Sequence, residues 1–233
     1  MKLFSIIAFT LIFTFSHLSF ANTEEVSGSA EVLNFEDFYL KSCTNEMDSF
    51  DLEMTSNPDN LREAQRMAIL KYTQAMFQLI NPKLWKSEPL SKCEKAFVVT
   101  LDSALTDLPN YIGTVYRGTT TKYISLEEGS NYPTEMLGYT STTVDLEVAD
   151  SFMTDRREMI AVNTGKDISA YSGAHMGGVN EKEILLPRGV LLFVNKLENV
   201  EETVLVWDDE AYSLVEKRKV IQTINATQVS TDL

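Results

Sequence analysis

A single change of pattern near Asn110 limits what this chain can fold into. Ahead of it, apolar residues recur at helical spacing; beyond it, short runs rich in Val, Ile, Tyr and Thr are separated by turn residues. In PDNLREAQRMAILKYTQAMFQLINP, the residues Leu61, Ala64, Ala68, Tyr72, Ala75, Met76 and Leu79 share one helical face. Asp59 or Asn60 is the expected N-cap and Asn81-Pro82 the expected stop. CEKAFVVTLDSALTDLP reads as a second helix, in which β-branched Val98, Val99 and Thr100 lower the intrinsic propensity. The β-type runs that follow are GTVYRGT, LGYTSTTV, REMIAVNT, EKEILLP, GVLLFVNKLE and ETVLVWD. DLEVADSFM, between the second and third, reads as a short helix capped by Asp145. Helices first and many short strands afterwards predict an α+β domain with a largely antiparallel core.

The first residues concern export. Basic Met1-Lys2, an apolar stretch from Leu3 to Phe15 and small Ser19 and Ala21 predict a secretion signal over 1–21, cleaved before NTEE. What remains, 22–233, is expected to be one domain, mainly helical over 22–109 and mainly β over 110–233, with NTEEVSGSAE as its disordered end. No later segment reaches the roughly 20 apolar residues of a membrane span, so no stable membrane insertion is expected. The formal net charge is −14, and loss of Lys2 deepens it to about −15, which disfavours nucleic acid and anionic lipid as partners.

Cys43 and Cys93 are the only cysteines, and in an exported chain they are expected to form one disulfide. Two thiols with one mature-chain histidine do not make a four-ligand zinc site, and no metal is expected. That histidine, His175, lies in SGAHMGGVN with no nucleophile-elbow pattern nearby, which argues against a Ser-His-Asp or Cys-His hydrolase. Asn225 begins the sequon NAT, relevant only in a host that glycosylates.

Three polar stations stand on separate β-type runs. Arg117 ends TVYRG, where Gly118 permits close backbone approach; Ser141, Thr142 and Thr143 form a hydroxyl-rich strand before the short helix; Glu181 and Glu183 head NEKEILLPRG. On a regular strand the two glutamates share one face, roughly 6.6 Å apart along the backbone, with Lys182 pointing away. Each piece alone is ordinary surface chemistry. Their order, each on its own strand with aromatics beside it, is more specific.

With VYRG, GYTSTTVDLEVADSF and NEKEILLPRG in this order, the sequence resembles the mono-ADP-ribosyltransferases of the Arg-Ser-Glu class. That group contains cholera-like toxins, actin-modifying binary toxins and animal arginine-specific ectoenzymes. The resemblance covers roughly Leu101 to Asp208. It implies a helical N-terminal part followed by a two-sheet β core with an NAD cleft. It implies Arg117 as the arginine that holds NAD, with Gly118 and Thr142 beside it, Ser141 as the motif serine and Glu183 as the catalytic glutamate. Glu181 matches the first acid of the Glu-x-Glu form of arginine modifiers, Phe152 the aromatic near nicotinamide, and Arg156 or Arg157 a second phosphate contact. Thr143 replaces a serine with donor and acceptor kept, and Val179 stands where many relatives carry an aromatic for target contact.

The resemblance therefore implies a secreted, toxin-like transferase, monomeric, that uses NAD as substrate and acts on a protein carrying the acceptor arginine. Glu183 would stabilise positive charge developing on the ribose, and Arg117 would bind the pyrophosphate in an acidic protein. Glu181 would orient an acceptor guanidinium whose pKa exceeds about 12. Two other readings use the same residues: an NAD glycohydrolase that passes ADP-ribose to water, and a non-catalytic binding module on the same scaffold.

Overall fold

The computed structural model describes residues 29–44, 57–120, 132–171, 181–208 and 213–229. The expected leader and the loop carrying His175 and Val179 lie outside the described residues. Helix α1 spans Ser29–Cys43, α2 Glu63–Lys71, a π-helical turn Tyr72–Met76, α3 Phe77–Trp85 and α4 Lys92–Asp107. Strands β1 (Asn110–Thr119), β2 (Thr134–Met136) and β3 (Thr140–Thr143) come next, then α5 (Leu146–Ser151). The chain ends in β4 (Arg156–Asp167), β5 (Glu183–Leu186), β6 (Val190–Asp208) and β7 (Ser213–Val229).

The change at Asn110 is where helix gives way to strand, and α4 and α5 form as expected. Ser91 accepts from the Glu94 N–H while Glu94 accepts from the Ser91 N–H, a reciprocal cap that starts α4. Asp145 caps α5 through the Glu147 N–H at 3.0 Å. Cys43 and Cys93 are bonded, stapling α1 to α4 with Cα atoms 5.6 Å apart.

Other local expectations are corrected. α1 begins at Ser29, so Ser29–Glu31 is helical rather than part of a loose end; Tyr39 packs edge-on against Phe97, and Glu36 binds Arg62. Asp59 does not cap the next helix because Tyr171 donates to its carboxylate; Asn60 is left-handed and α2 starts after Arg62, whose N–H meets Gln65. Asn81-Pro82 does not stop the rod, which continues to Trp85. The two β-type runs GVLLFVNKLE and ETVLVWD are one strand, β6, bulged between Val194 and Lys196. Its partner β7 shows no period-2 apolar pattern over EKRK and was not expected as a strand.

The strands form one hydrogen-bonded sheet in the order β1-β3-β5-β4-β7-β6-β2, with β1 also paired to β4. All pairings are antiparallel except β4 with β7. Because β1 and β4 each pair on both sides, the long β2-β6-β7-β4-β1 array and the short β3-β5 pair are joined as one. β5 separates two cores. Leu185 packs with the helices, including Phe97, Leu101 and Tyr139, whereas Ile184 and Leu186 pack with Val115, Ile160 and Ile224 between the strands. By strand alternation Glu183 follows Leu185 toward the helical layer, which places it against the π-helical turn.

Candidate active site

A cleft of about 590 Å³ runs between the helical rod and the sheet. The rod contributes Tyr72, Phe77, Asn81 and Trp85, β1 contributes Tyr116, Arg117 and Gly118, and β3 contributes Ser141, Thr142 and Thr143. Val148, Ala149, Phe152, Glu181 and Glu183 complete the lining. The three stations separated in sequence therefore meet on one surface.

Glu183 is 5% exposed. Burial raises its pKa to about 7; the Ser141 hydroxyl acts in the opposite direction, and the Glu181 charge adds to the rise. Glu181 is itself raised, by burial. Ser141 Oγ lies 3.4 Å from the hydroxyl of Tyr72, a buried ring whose own pKa is pushed up to about 12, chiefly by desolvation. Burial thus shifts the Glu183 carboxyl toward its protonated form.

The two glutamates face one cleft, but strand alternation is not the reason. β5 begins at Glu183, and Lys182 has φ +47°, in the left-handed region, so the backbone turns between the two acids. Side-chain bonds hold that turn. Thr143 Oγ1 donates to the Glu181 carbonyl at 2.7 Å and accepts from the Asp145 N–H at 3.0 Å, and Lys182 Nζ reaches Asp145 at 2.9 Å. Thr143 uses the donor and acceptor it shares with serine. Thr142 donates to the Ile184 carbonyl at 2.5 Å, fixing β3 to β5.

Arg117 continues the buried cross-strand row of Val115 and Ile160, and its register partner is Glu158. The guanidinium lies 3.3 Å from Glu158, whose carboxylate is 1% exposed. Gly118 has no room for a side chain: a Cβ would lie 1.9 Å from the Ala149 carbonyl and 2.7 Å from the Met153 nitrogen. That absence lets α5 lie on β1 and brings Phe152, 57% exposed, to the cleft rim.

Arg156 and Arg157 do not line the cleft, which corrects the expectation of a phosphate contact from either. Arg156 is buried and donates to Gln222 at 2.9 Å. Arg157 places two donors on Asp150 and two on Glu202, all at 2.7–2.9 Å, and so ties α5 to β6.

Sequence reasoning missed Tyr72, Asn81 and Tyr139 as site residues. Asn81 Nδ2 donates to the Tyr139 carbonyl at 3.0 Å, and the Tyr139 N–H donates to Asn81 Oδ1 at 3.0 Å. This clamp holds the chain two residues before Ser141. The available signal was chemical: a tyrosine in an apolar stripe carries a hydroxyl that needs a partner when buried, as does an asparagine.

The model of the ADP-ribosyltransferase exoenzyme family matches residues 48–227. The chain is 35% identical over 132 residues to the protein Mav of Mycobacterium avium (strain 104), covering 54% of this chain and 15% of that one. It is 32% identical over 130 residues to the NAD(+)–protein-arginine ADP-ribosyltransferase Tre1 of Pseudomonas putida (strain GB-1), covering 54% and 25%. The matches span only these minor fractions of the curated relatives' lengths. Exoenzyme S of Pseudomonas aeruginosa, solved with human 14-3-3 protein beta and carba-NAD, superposes with a TM-score of 0.62 at 18% identity, over 87% of this chain and 94% of that one. At that identity the likeness concerns the fold.

Proposed function

Because the chain belongs to the ADP-ribosyltransferase exoenzyme family, we propose that it moves ADP-ribose from NAD to an arginine of a target protein and releases nicotinamide. The observation that carries this reading is the convergence of Arg117, Ser141 and Glu183 on one cleft, with Glu181 beside them.

The groups present suit a dinucleotide. Arg117 is held on one side by a single carboxylate, Phe152 offers an exposed ring at the rim, and the β3 residues Ser141, Thr142 and Thr143 line the same cleft. A guanidinium binds pyrophosphate in a fork and offsets the unfavourable field of an acidic protein. When NAD is bound, its glycosidic bond to nicotinamide supplies the reacting centre. Glu183, ionised and oriented with the help of Ser141, places negative charge where the ribose becomes electron-poor. Glu181 faces the same space and receives the acceptor guanidinium, assisting its proton loss. Turnover therefore requires Glu183 to be ionised and falls as pH drops below about 7.

The finer assignments complete the proposal. The protein is exported through the leader 1–21, and 22–233 acts as a monomeric single domain, with 22–109 mainly helical and 110–233 mainly β. Its partner is a protein bearing the acceptor arginine, without nucleic acid or stable membrane insertion, and no metal takes part.

The test compares nicotinamide release by the purified protein, with and without agmatine as acceptor, for wild type, Glu183→Ala and Glu181→Ala. Loss of all release in Glu183→Ala, with loss of only the acceptor-dependent part in Glu181→Ala, supports the transferase. Release that ignores agmatine in wild type indicates a glycohydrolase. A wild type that never consumes NAD leaves the binding module.

A further inference from the structure

The helical rod changes face at the cleft. The apolar stripe is buried through Leu61, Ala64, Ala68 and Tyr72, as the spacing predicts, but Ala75 and Leu79 are exposed and Ile80 and Asn81 are buried instead. The stripe has slipped by one residue across the π-helical turn, where the Phe77 N–H reaches the Tyr72 carbonyl five residues back. On an unbroken α-helix, positions nine apart lie roughly 180° from each other; absorbing one extra residue cuts this to about 80°. Asn81 and Tyr72 thereby come to one side, with Nδ2 3.2 Å from the Tyr72 oxygen.

The direction of the hydrogen bonds is fixed at the Asn81 end. The Tyr139 N–H is an obligate donor and fixes Asn81 Oδ1 as its acceptor, so the amide group of Asn81 faces Tyr72 and donates to it. The Tyr72 proton must then go elsewhere. Its choices are the Tyr139 carbonyl at 3.5 Å, which has a second lone pair beside the one that accepts from Asn81 at 3.0 Å, and Ser141 Oγ at 3.4 Å. The Ser141 hydroxyl can rotate either to donate to Tyr72 or to accept from it; an ionised Glu183 that takes the Ser141 proton favours the second.

We infer that Tyr72 is a positioning residue for the transfer: held by Asn81, its hydroxyl donates to Ser141 and so commits the Ser141 proton to the Glu183 carboxylate. The inference rests on the reading of Glu183 as the reacting carboxylate. Without this arrangement one serine proton would be shared between Tyr72 and Glu183. The charged and titratable groups on the cleft wall around Glu183 are Glu181, Arg117 with Glu158 behind it, Tyr72, Tyr116 and Tyr139. Glu181 opposes ionisation of Glu183, and the Ser141 hydroxyl favours it.

Tyr72→Phe removes one oxygen and keeps a ring that packs 5.5 Å from Tyr139 and 6.2 Å from Phe77. The direct test is the titration of the Glu183 carboxyl, followed by carbon NMR and assigned with Glu183→Gln, in wild type, Tyr72→Phe, Ser141→Ala and the double variant. The Glu183 pKa is expected to rise by about half to one unit in Tyr72→Phe. The double variant should titrate like Ser141→Ala alone, because the effect passes through the serine. An unshifted Glu183 in Tyr72→Phe, or additive shifts in the double variant, overturns the inference. Asn81→Ser withdraws the donor from the far end and should shift the titration in the same direction.

Activity gives a separate readout. The acid limb of kcat/KM for nicotinamide release should move up with the titration. Normal turnover with an unmoved limb overturns the positioning role and leaves the transferase reading standing. Absent turnover in wild type with the expected titration shifts overturns the transferase reading and leaves the hydrogen-bond chain standing.

Discussion

Arg117 and Arg157 sit one step apart on paired strands, yet their surroundings differ. Arg157 has four short bonds to Asp150 and Glu202, while Arg117 meets Glu158 at 3.3 Å and otherwise faces the cleft. The same contrast runs through the molecule. Arg62 with Glu36 and Arg188 with Asp102 are closely paired away from the cleft. Inside it, Glu181 and Glu183 are like charges raised by burial. Charges that hold the fold are satisfied by the fold, and charges in the cleft are left for what enters it.

The sharpest way to break this contrast is at Glu183. Glu183→Gln should lower turnover by about a thousandfold, measured as nicotinamide release. It should also stabilise the protein. The folded pKa of Glu183 is raised to about 7, so the native state binds an extra proton between about 4.5 and 7. That contribution is fully present at low pH and lost as pH rises through 7. Chemical denaturation should therefore find Glu183→Gln more stable than wild type at pH 8, by up to about 3 kcal/mol, with little difference at pH 4.

Arg117→Ala should raise the KM for NAD roughly tenfold to a hundredfold, the loss of charge-assisted bonds to an anion, while the circular dichroism spectrum is retained. Reducing the Cys43–Cys93 bond, or replacing both cysteines with Ala, opens a link between residues 50 apart in sequence. This should cost about 2–4 kcal/mol in denaturant unfolding. Arg157→Ala should cost about 1–2 kcal/mol, discounted because its partners are partly exposed, and should leave the KM for NAD unchanged. If Arg157→Ala instead weakens NAD binding as Arg117→Ala does, the division between the two arginines is wrong. In nicotinamide release measured without acceptor, Glu181→Gln should give the smallest change, moving the acid limb of kcat/KM to lower pH by a fraction of a unit because the charge opposing Glu183 ionisation is gone, while transfer to agmatine is lost.

Much of this contrast was legible before the fold. VYRG, YTSTT and the two glutamates, each ordinary surface chemistry alone, pointed to the cleft through their order on separate strands and the family resemblance that order carries. Asp145 as a cap was legible for a local reason: its side chain bonds a backbone N–H two residues away. Arg156 and Arg157 were ambiguous, since one residue along a strand reverses the face and neither position states what lies across from it. Only the placement of Asp150 and Glu202 decided Arg157.

The sequence by itself determined the helix α4 and the order β1, β3, α5, β4, β5 and β6 but neither β2 nor β7, and the resemblance it carries pointed to Arg117, Ser141 and Glu183. The elements follow from periodicity and from contacts over a few residues. Tertiary structure alone decided the one-residue slip at Tyr72–Met76, the left-handed turn at Lys182 and the burial that lifts Glu183. Each of these depends on groups far apart in the chain: Asn81 on the Tyr139 backbone, Thr143 on the Glu181 carbonyl, and Leu185 on the helical core. A local pattern records what a residue prefers; desolvation and the partner across the cleft exist only once the chain has closed around them.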